Sequence, residues 1–171
     1  MKFYSIRYLI GKFEVVKFIS DKNTFKEVAN GISIGESILD GSFIELFEKI
    51  TTDENLIETK TIISTELNGK KIQMVHLNKL QGGLELFTTS QESKEKLVLQ
   101  TISKDEITQE YENETTYRRT YSASEGGYTV LIETSKDRCV SWSSDSYLVY
   151  NRINPIESEK ERNSINNQNQ F

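Results

Sequence analysis

One cysteine, one proline, one histidine and one tryptophan are spread over 171 residues, and each shortage removes a class of explanation. The lone cysteine, Cys139, cannot close an internal disulfide, so the fold does not rest on oxidation. The lone histidine, His76, excludes multi-histidine metal centres and paired-histidine catalysis, which need at least two. No Gly-x-Ser-x-Gly elbow accompanies it to support a serine triad, and neither Gly82-Gly83 nor Gly126-Gly127 is followed by the Lys-Ser/Thr pair of a phosphate loop. No apolar run approaches the ~18 residues that a spanning helix requires. The opening stretch MKFYSIRYLIGKFEVVKF is interrupted by Arg7, Lys12, Glu14 and Lys17, so it does not read as a signal peptide. These features predict a soluble, cytoplasmic protein with no membrane association.

Basic residues are in deficit as well: 21 Lys and Arg against 26 Asp and Glu leave a net charge of -5. Affinity for phosphate backbones comes from clustered cations, so nucleic acid is not the expected partner. An acidic chain favours basic partners instead. The carboxylates are unevenly placed, with five of them and no basic residue in the run Asp105 to Glu114 (DEITQEYENE).

What the chain has in quantity is β-forming sequence. The stretch Tyr117 to Tyr150 holds five of the eight tyrosines and alternates with period two, with turn signals at Gly126-Gly127 and at Ser143-Ser144-Asp145, and it reads as an antiparallel meander. Cys139 and Trp142 fall within one of its strands, three residues apart and so on opposite faces, and Cys139 reads as a buried structural residue. A second meander follows from Leu56 to Thr65 and Lys71 to Leu77 around Asn68-Gly69, a strong hairpin signal, and continues through Leu84 to Phe87 and Lys96 to Ile102. At the start, Lys2 to Ile10 and Lys12 to Ile19 read as a hairpin about Gly11. Between them, Ser20-Asp21 followed by a stop at Asn30-Gly31 predicts a short helix with Phe25, Val28 and Ala29 buried, and Phe43, Leu46, Phe47 and Ile50 fall at the i, i+3, i+4, i+7 spacing that favours a second, with the β-forming content of that segment leaving a strand as the alternative. The expected fold is therefore α+β: a mainly antiparallel sheet of two meanders with one or two short helices packed on one face, a single domain over 1–154. Residues 155–171 are polar with little to bury and predict a flexible tail.

Two short patterns point to enzymes. Glu58-x-Lys60 with Asp40 upstream resembles the acidic-x-lysine signature of restriction-type nucleases, where carboxylates hold Mg²⁺ and the lysine stabilises the attacking water. The order Arg7, Thr88-Thr89-Ser90, then Glu110-x-Glu112 or Glu112-x-Glu114 resembles ADP-ribosyltransferases. That resemblance implies NAD as cosubstrate, with the arginine on its phosphates, the Ser/Thr segment shaping the nicotinamide pocket and the last glutamate orienting the acceptor.

The reading preferred from sequence is neither. Tyr and Arg beside carboxylates are the residue types that anchor and steer protein interfaces. Tyr117, Arg119 and Tyr121 share one face of a strand, next to Glu106, Glu110, Tyr111, Glu112 and Glu114. These eight residues predict a non-enzymatic binding module of inhibitor or immunity type that meets a basic protein partner and needs no cofactor or metal.

Overall fold

A computed structural model describes residues 6–21, 24–65, 72–80, 82–92, 96–101, 115–137 and 139–153. Within them the chain forms ten strands: β1 (Gly11–Asp21), β2 (Thr24–Ile38), β3 (Phe43–Thr52), β4 (Leu56–Thr65), β5 (Ile72–Asn78), β6 (Gly83–Glu92), β7 (Lys96–Thr101), β8 (Thr116–Ser124), β9 (Gly127–Ser135) and β10 (Ser143–Arg152). Each strand pairs antiparallel with the next, and β1 also pairs with β10, so the sheet closes into a barrel without edges. This overturns the α+β expectation. Among the described residues there are no two meanders with helices on one face, but one meander curled until its ends meet.

Both expected helices are strands, for identifiable reasons. In β2, Asn30-Gly31 is not a helix stop. Gly31 sits mid-strand opposite Ile50, where a Cβ would come 2.0 Å from the Lys49 carbonyl oxygen, so the glycine permits close approach of two backbones. Of the supposed helical stripe, Ala29 is buried while Phe25 lies on the outer surface, touching Tyr147 with ring centroids 5.7 Å apart. In β3 the helical spacing is a coincidence of two faces: Leu46 and Ile50 point inward with Ile44 and Glu48, while Phe43 and Phe47 point out. The hairpin expected over Lys2 to Ile19 is also corrected. Arg7–Leu9 is a single 3₁₀ turn, and Gly11 begins a strand whose partners are β2 and β10.

That 3₁₀ turn closes one end of the barrel. Ile6 and Leu9 are fully buried, and Arg152 at the end of β10 donates to the Ile10 carbonyl (2.8 Å) while its guanidinium lies 4.7 Å over the Phe13 ring. Beneath it Tyr128 stacks on Tyr150 (4.1 Å between centroids, 11° between planes) and Phe13 packs edge-on against Tyr128 at 5.0 Å. The turn fits because Gly35 lets it in: a Cβ there would stand 1.9 Å from the Leu9 carbonyl oxygen. Gly35→Ala is expected to cost about 1–3 kcal/mol through this overpacking, whereas Gly83→Ala, with nothing within 4 Å, serves as the neutral control. Denaturant midpoints for the two variants check this.

The outer wall carries ion pairs at mid-strand, Lys49–Glu58 (3.1 Å), Lys60–Glu45 (3.0 Å) and Arg118–Glu133 (2.8 Å), around an interior with a large apolar cluster. No helix among the described residues is long and apolar enough to cross a membrane.

Candidate functional site

Alternation assigns every inward side chain, and the inner faces are not uniformly apolar. On β3, β4 and β5 the inward series run Ile44, Leu46, Glu48, Ile50; Ile57, Thr59, Thr61, Ile63; and Ile72, Met74, His76, Asn78. Cross-strand register aligns the polar members. Ser33, Glu48, Thr59 and Asn78 are successive partners across β2 to β5, and Thr61, His76 and Glu85 across β4 to β6. From β8, Tyr117, Arg119 and Tyr121 point inward to face them, paired with inward Thr134, Ile132 and Val130 of β9.

Exposure along this wall is uneven. The Glu85 side chain is 36% accessible and that of Arg119 14%, while Glu48 and Thr59 retain 8%, His76 6%, and Phe13 and Tyr128 nothing. The more accessible polar groups, Glu85 and Arg119, lie toward the end where β5 turns into β6, and the 3₁₀ turn covers the other end.

Arg119 dominates its electrostatics. Its Nη2 lies 3.4 Å from Glu85 Oε2 and its Nη1 3.4 Å from His76 Nδ1, both longer than the 2.7–2.9 Å usual for charge-assisted bonds. Its Nε is buried and without a hydrogen-bond partner, and the guanidinium lies 5.2 Å over the Phe87 ring. Since a guanidinium only donates, the His76 Nδ1 that faces it accepts, as it does from the Thr61 hydroxyl at 2.9 Å. Burial, reinforced by the Arg119 charge, lowers the His76 pKa to about 3, so the ring is neutral. Deeper in, Glu48 accepts from Tyr150 at 2.6 Å and from Thr59 at 3.1 Å. Burial holds the Tyr150 and Tyr128 hydroxyls well above the usual tyrosine range, and the Glu48 charge adds to this.

The residues expected from sequence to bind a partner are placed unequally. Tyr117, Arg119 and Tyr121 do share a face, but it is the face inside the barrel, with Tyr121 3% exposed. Glu106, Glu110, Tyr111, Glu112 and Glu114 lie outside the described residues. So does residue 155 onward. Arg118 points out, bonded to both oxygens of Glu133 and resting 4.2 Å over Trp142. Cys139 and Trp142 are in the β9–β10 connection rather than on one strand: Cys139 is half-buried at φ +68° and accepts a hydrogen bond from Gln100, and Ser143-Ser144 starts β10 instead of turning the chain.

Neither enzyme pattern assembles among the described residues. Asp40 is in the β2–β3 turn, whereas Glu58 is opposite Lys49, six residues along β3 from Phe43. That is roughly 20 Å at ~3.3 Å per residue, too far for carboxylates to share a metal ion. Glu58 and Lys60 are instead paired with Lys49 and Glu45 on the outer wall. For the transferase-like order, Arg7 is exposed at the closed end, Thr89 exchanges hydrogen bonds with the Ile72 backbone at 2.7 Å, and the glutamates fall outside the described residues.

Glu48, Thr59, Thr61, His76 and Glu85 were not singled out from sequence as a group. The signal was there, as polar residues on the otherwise apolar parity of each strand, but it becomes visible only once β3 is read with period two. No protein-family model matches the chain, and no curated protein matches it.

Proposed function

We propose that the protein binds a small amphipathic organic anion inside the open half of the barrel, with the anion's carboxylate on Arg119. The observation that carries this is the guanidinium itself: an inward cation with an unpartnered Nε, 3.4 Å contacts to Glu85 and to a neutral histidine, and the neutral Tyr121 hydroxyl as its further neighbour. Burying a charge is costly unless it is well paired, and a bidentate carboxylate is the partner whose geometry suits a guanidinium. Ile57, Ile132, Leu148 and the Phe87 ring supply the apolar wall for a hydrocarbon chain. A mostly apolar concavity with a few convergent polar groups is the usual form of a small-molecule site, and barrel mouths are a usual place for one.

An outer groove of about 380 Å³ lined by Phe47, Leu77 and Leu84 is the competing location. Its cations, Lys60 and Lys79, are already paired with Glu45 and Glu58, so it offers no comparable anchor for an anion. The basic protein partner expected from sequence draws on Tyr117, Arg119 and Tyr121, and an interior ligand gives those same three side chains a use from where they stand.

Calorimetry with octanoate and octanol as probes tests the proposal. Octanoate is expected to bind and Arg119→Gln to weaken it by about 10- to 100-fold, the scale of a hydrogen bond to a charged group, with octanol affected far less. Amide chemical shifts on octanoate addition are expected to move around Arg119 and Phe87 and not around Leu84. Absence of binding, or equal affinity in wild type and Arg119→Gln, overturns it.

A further inference from the structure

Closure pairs the strands along the length of the barrel, but at one end β2 outruns its neighbour. Its register with β1 begins at Thr24, whereas its register with β3 begins only at Ala29, opposite Thr52. β3 stops there because the chain turns at once into β4: the Thr52 amide and hydroxyl both donate to the Asn55 carbonyl, at 2.9 and 3.1 Å. Residues 24–28 are therefore paired on one side only. In an antiparallel pair alternate residues turn their N–H and C=O groups away from the partner, and among the described residues no strand meets them on the β3 side. Such a row of free backbone groups is a template for another strand. Its side chains have a definite order. The β1 register passes over Val28, a bulge after which Phe25 and Glu27 share the outer face with Phe18 and Tyr147 while Lys26 takes the other face. Phe25 is 46% exposed. Glu27 lines a groove of about 320 Å³ together with Asn30, Thr51 and Asp53, and among the described residues neither Glu27 nor Asp53 is held in an ion pair.

We infer that residues 24–28 accept an extended segment of a partner protein as an added antiparallel strand, lying in the line of β3 beyond its turn. Backbone hydrogen bonds supply the affinity in this mode of recognition and alternate side chains the specificity. The edge states what those side chains are, because directly opposed residues of opposite charge, and opposed apolar residues, stabilise a pair. Read from its N-terminus, the incoming strand places a cation against Glu27 and the neighbouring Asp53, then a carboxylate against Lys26, then an apolar side chain against Phe25. A second copy of the chain is the poorer occupant. Pairing the whole stretch with itself centres on Lys26 and sets two ammonium groups directly opposite each other, the device by which natural edges resist self-association. The surface is independent of the anion site, since Arg119 contributes nothing to it.

The test is a titration of isotope-labelled protein with the end-capped pentapeptide Thr-Lys-Glu-Val-Thr, followed by amide chemical shifts. Shifts are expected at residues 24–28 and at Asp53, and not around Arg119. The charge-swapped peptide Thr-Glu-Lys-Val-Thr is expected to bind about fivefold more weakly, the scale of two cross-strand charge pairs. In Glu27→Lys, an exposed substitution whose folding circular dichroism checks, that preference is expected to vanish or reverse. Methylating alternate peptide nitrogens is expected to abolish binding when the methyls lie on the edge facing β2 and to spare it when they lie on the other. No shift at residues 24–28 at about 5 mM peptide, equal affinity for the two charge orders, or indifference to which edge is methylated overturns the proposal. Dimerisation in sedimentation experiments that shifts the same amides without peptide overturns it in favour of a second copy.

Discussion

Between pH 6.5 and 5 the barrel is expected to lose about 2 kcal/mol of stability through one side chain, His76, before carboxylates begin to titrate. The folded ring has a pKa of about 3 against 6.5 for the free group, because burial removes it from water and Arg119 stands 3.4 Å from its Nδ1. The sign follows from proton counting. Across the window from 6.5 down to about 3 the unfolded chain takes up a proton that the folded chain refuses, so acid favours unfolding by about 1.4 kcal/mol for each pH unit. The stability is fully present above 6.5. Among the described residues the groups bonded to the ring and to Arg119 agree with this: Thr61 donates to Nδ1, Arg119 repels an imidazolium, and Glu85, the cross-strand partner of His76, is already shared with Arg119. Urea midpoints at pH 7, 6 and 5 measure the slope. His76→Gln, which keeps an acceptor for Thr61, is expected to flatten it over that interval, and an unchanged slope in the variant would refute the assignment.

This prediction was out of reach from the sequence, where His76 is one polar residue in KIQMVHLN, and the reason is physical. Period-two alternation was legible where a strand ends at a turn glycine whose backbone demands show in its identity. Gly126 (φ +79°) and Gly82 (φ +59°) are where turns were expected, and Thr65 pairs with Ile72 on either side of the Asn68-Gly69 segment. The first half misled because its glycines do other work. Gly31 and Gly35 lie inside β2 to admit neighbouring backbones, which in sequence imitates a helix stop. Apolar residues on both faces of β3, Leu46 and Ile50 within and Phe43 and Phe47 without, imitated a helical stripe. Once β2 and β3 are taken as helices, the run of pairings from β1 through β2 and β3 to β4 is broken, and with no closure there is no interior. Tyr117, Arg119 and Tyr121 could be placed on a common face from the sequence, but only closure decides that this face is the inside.

Replacing Arg119 with methionine is expected to leave the barrel as stable as wild type or more stable by about 1 kcal/mol, while removing anion binding. Substituting apolar side chains of similar volume for buried ionic groups is often neutral or stabilising, because desolvation outweighs a poor pairing. The pairing here is loose, with the Glu85 and His76 contacts both at 3.4 Å and Nε without a partner, although the Tyr121 hydroxyl also stands against the guanidinium. The usual danger, an abandoned countercharge, does not arise, since the Glu85 side chain is 36% accessible at the mouth and solvated without help. Methionine also adapts to the space over Phe87. The same variant should raise the His76 pKa, because one of the two causes that depress it is gone, and so shift the lower limit of the acid-labile window upward. The two measurements separate a structural arginine from a functional one. A residue kept for the fold costs stability when replaced, whereas a residue kept for a ligand is a strained compromise whose removal relieves the barrel and ends binding together. A loss above about 2 kcal/mol in Arg119→Met would assign Arg119 to the fold and withdraw the main support for an anion site.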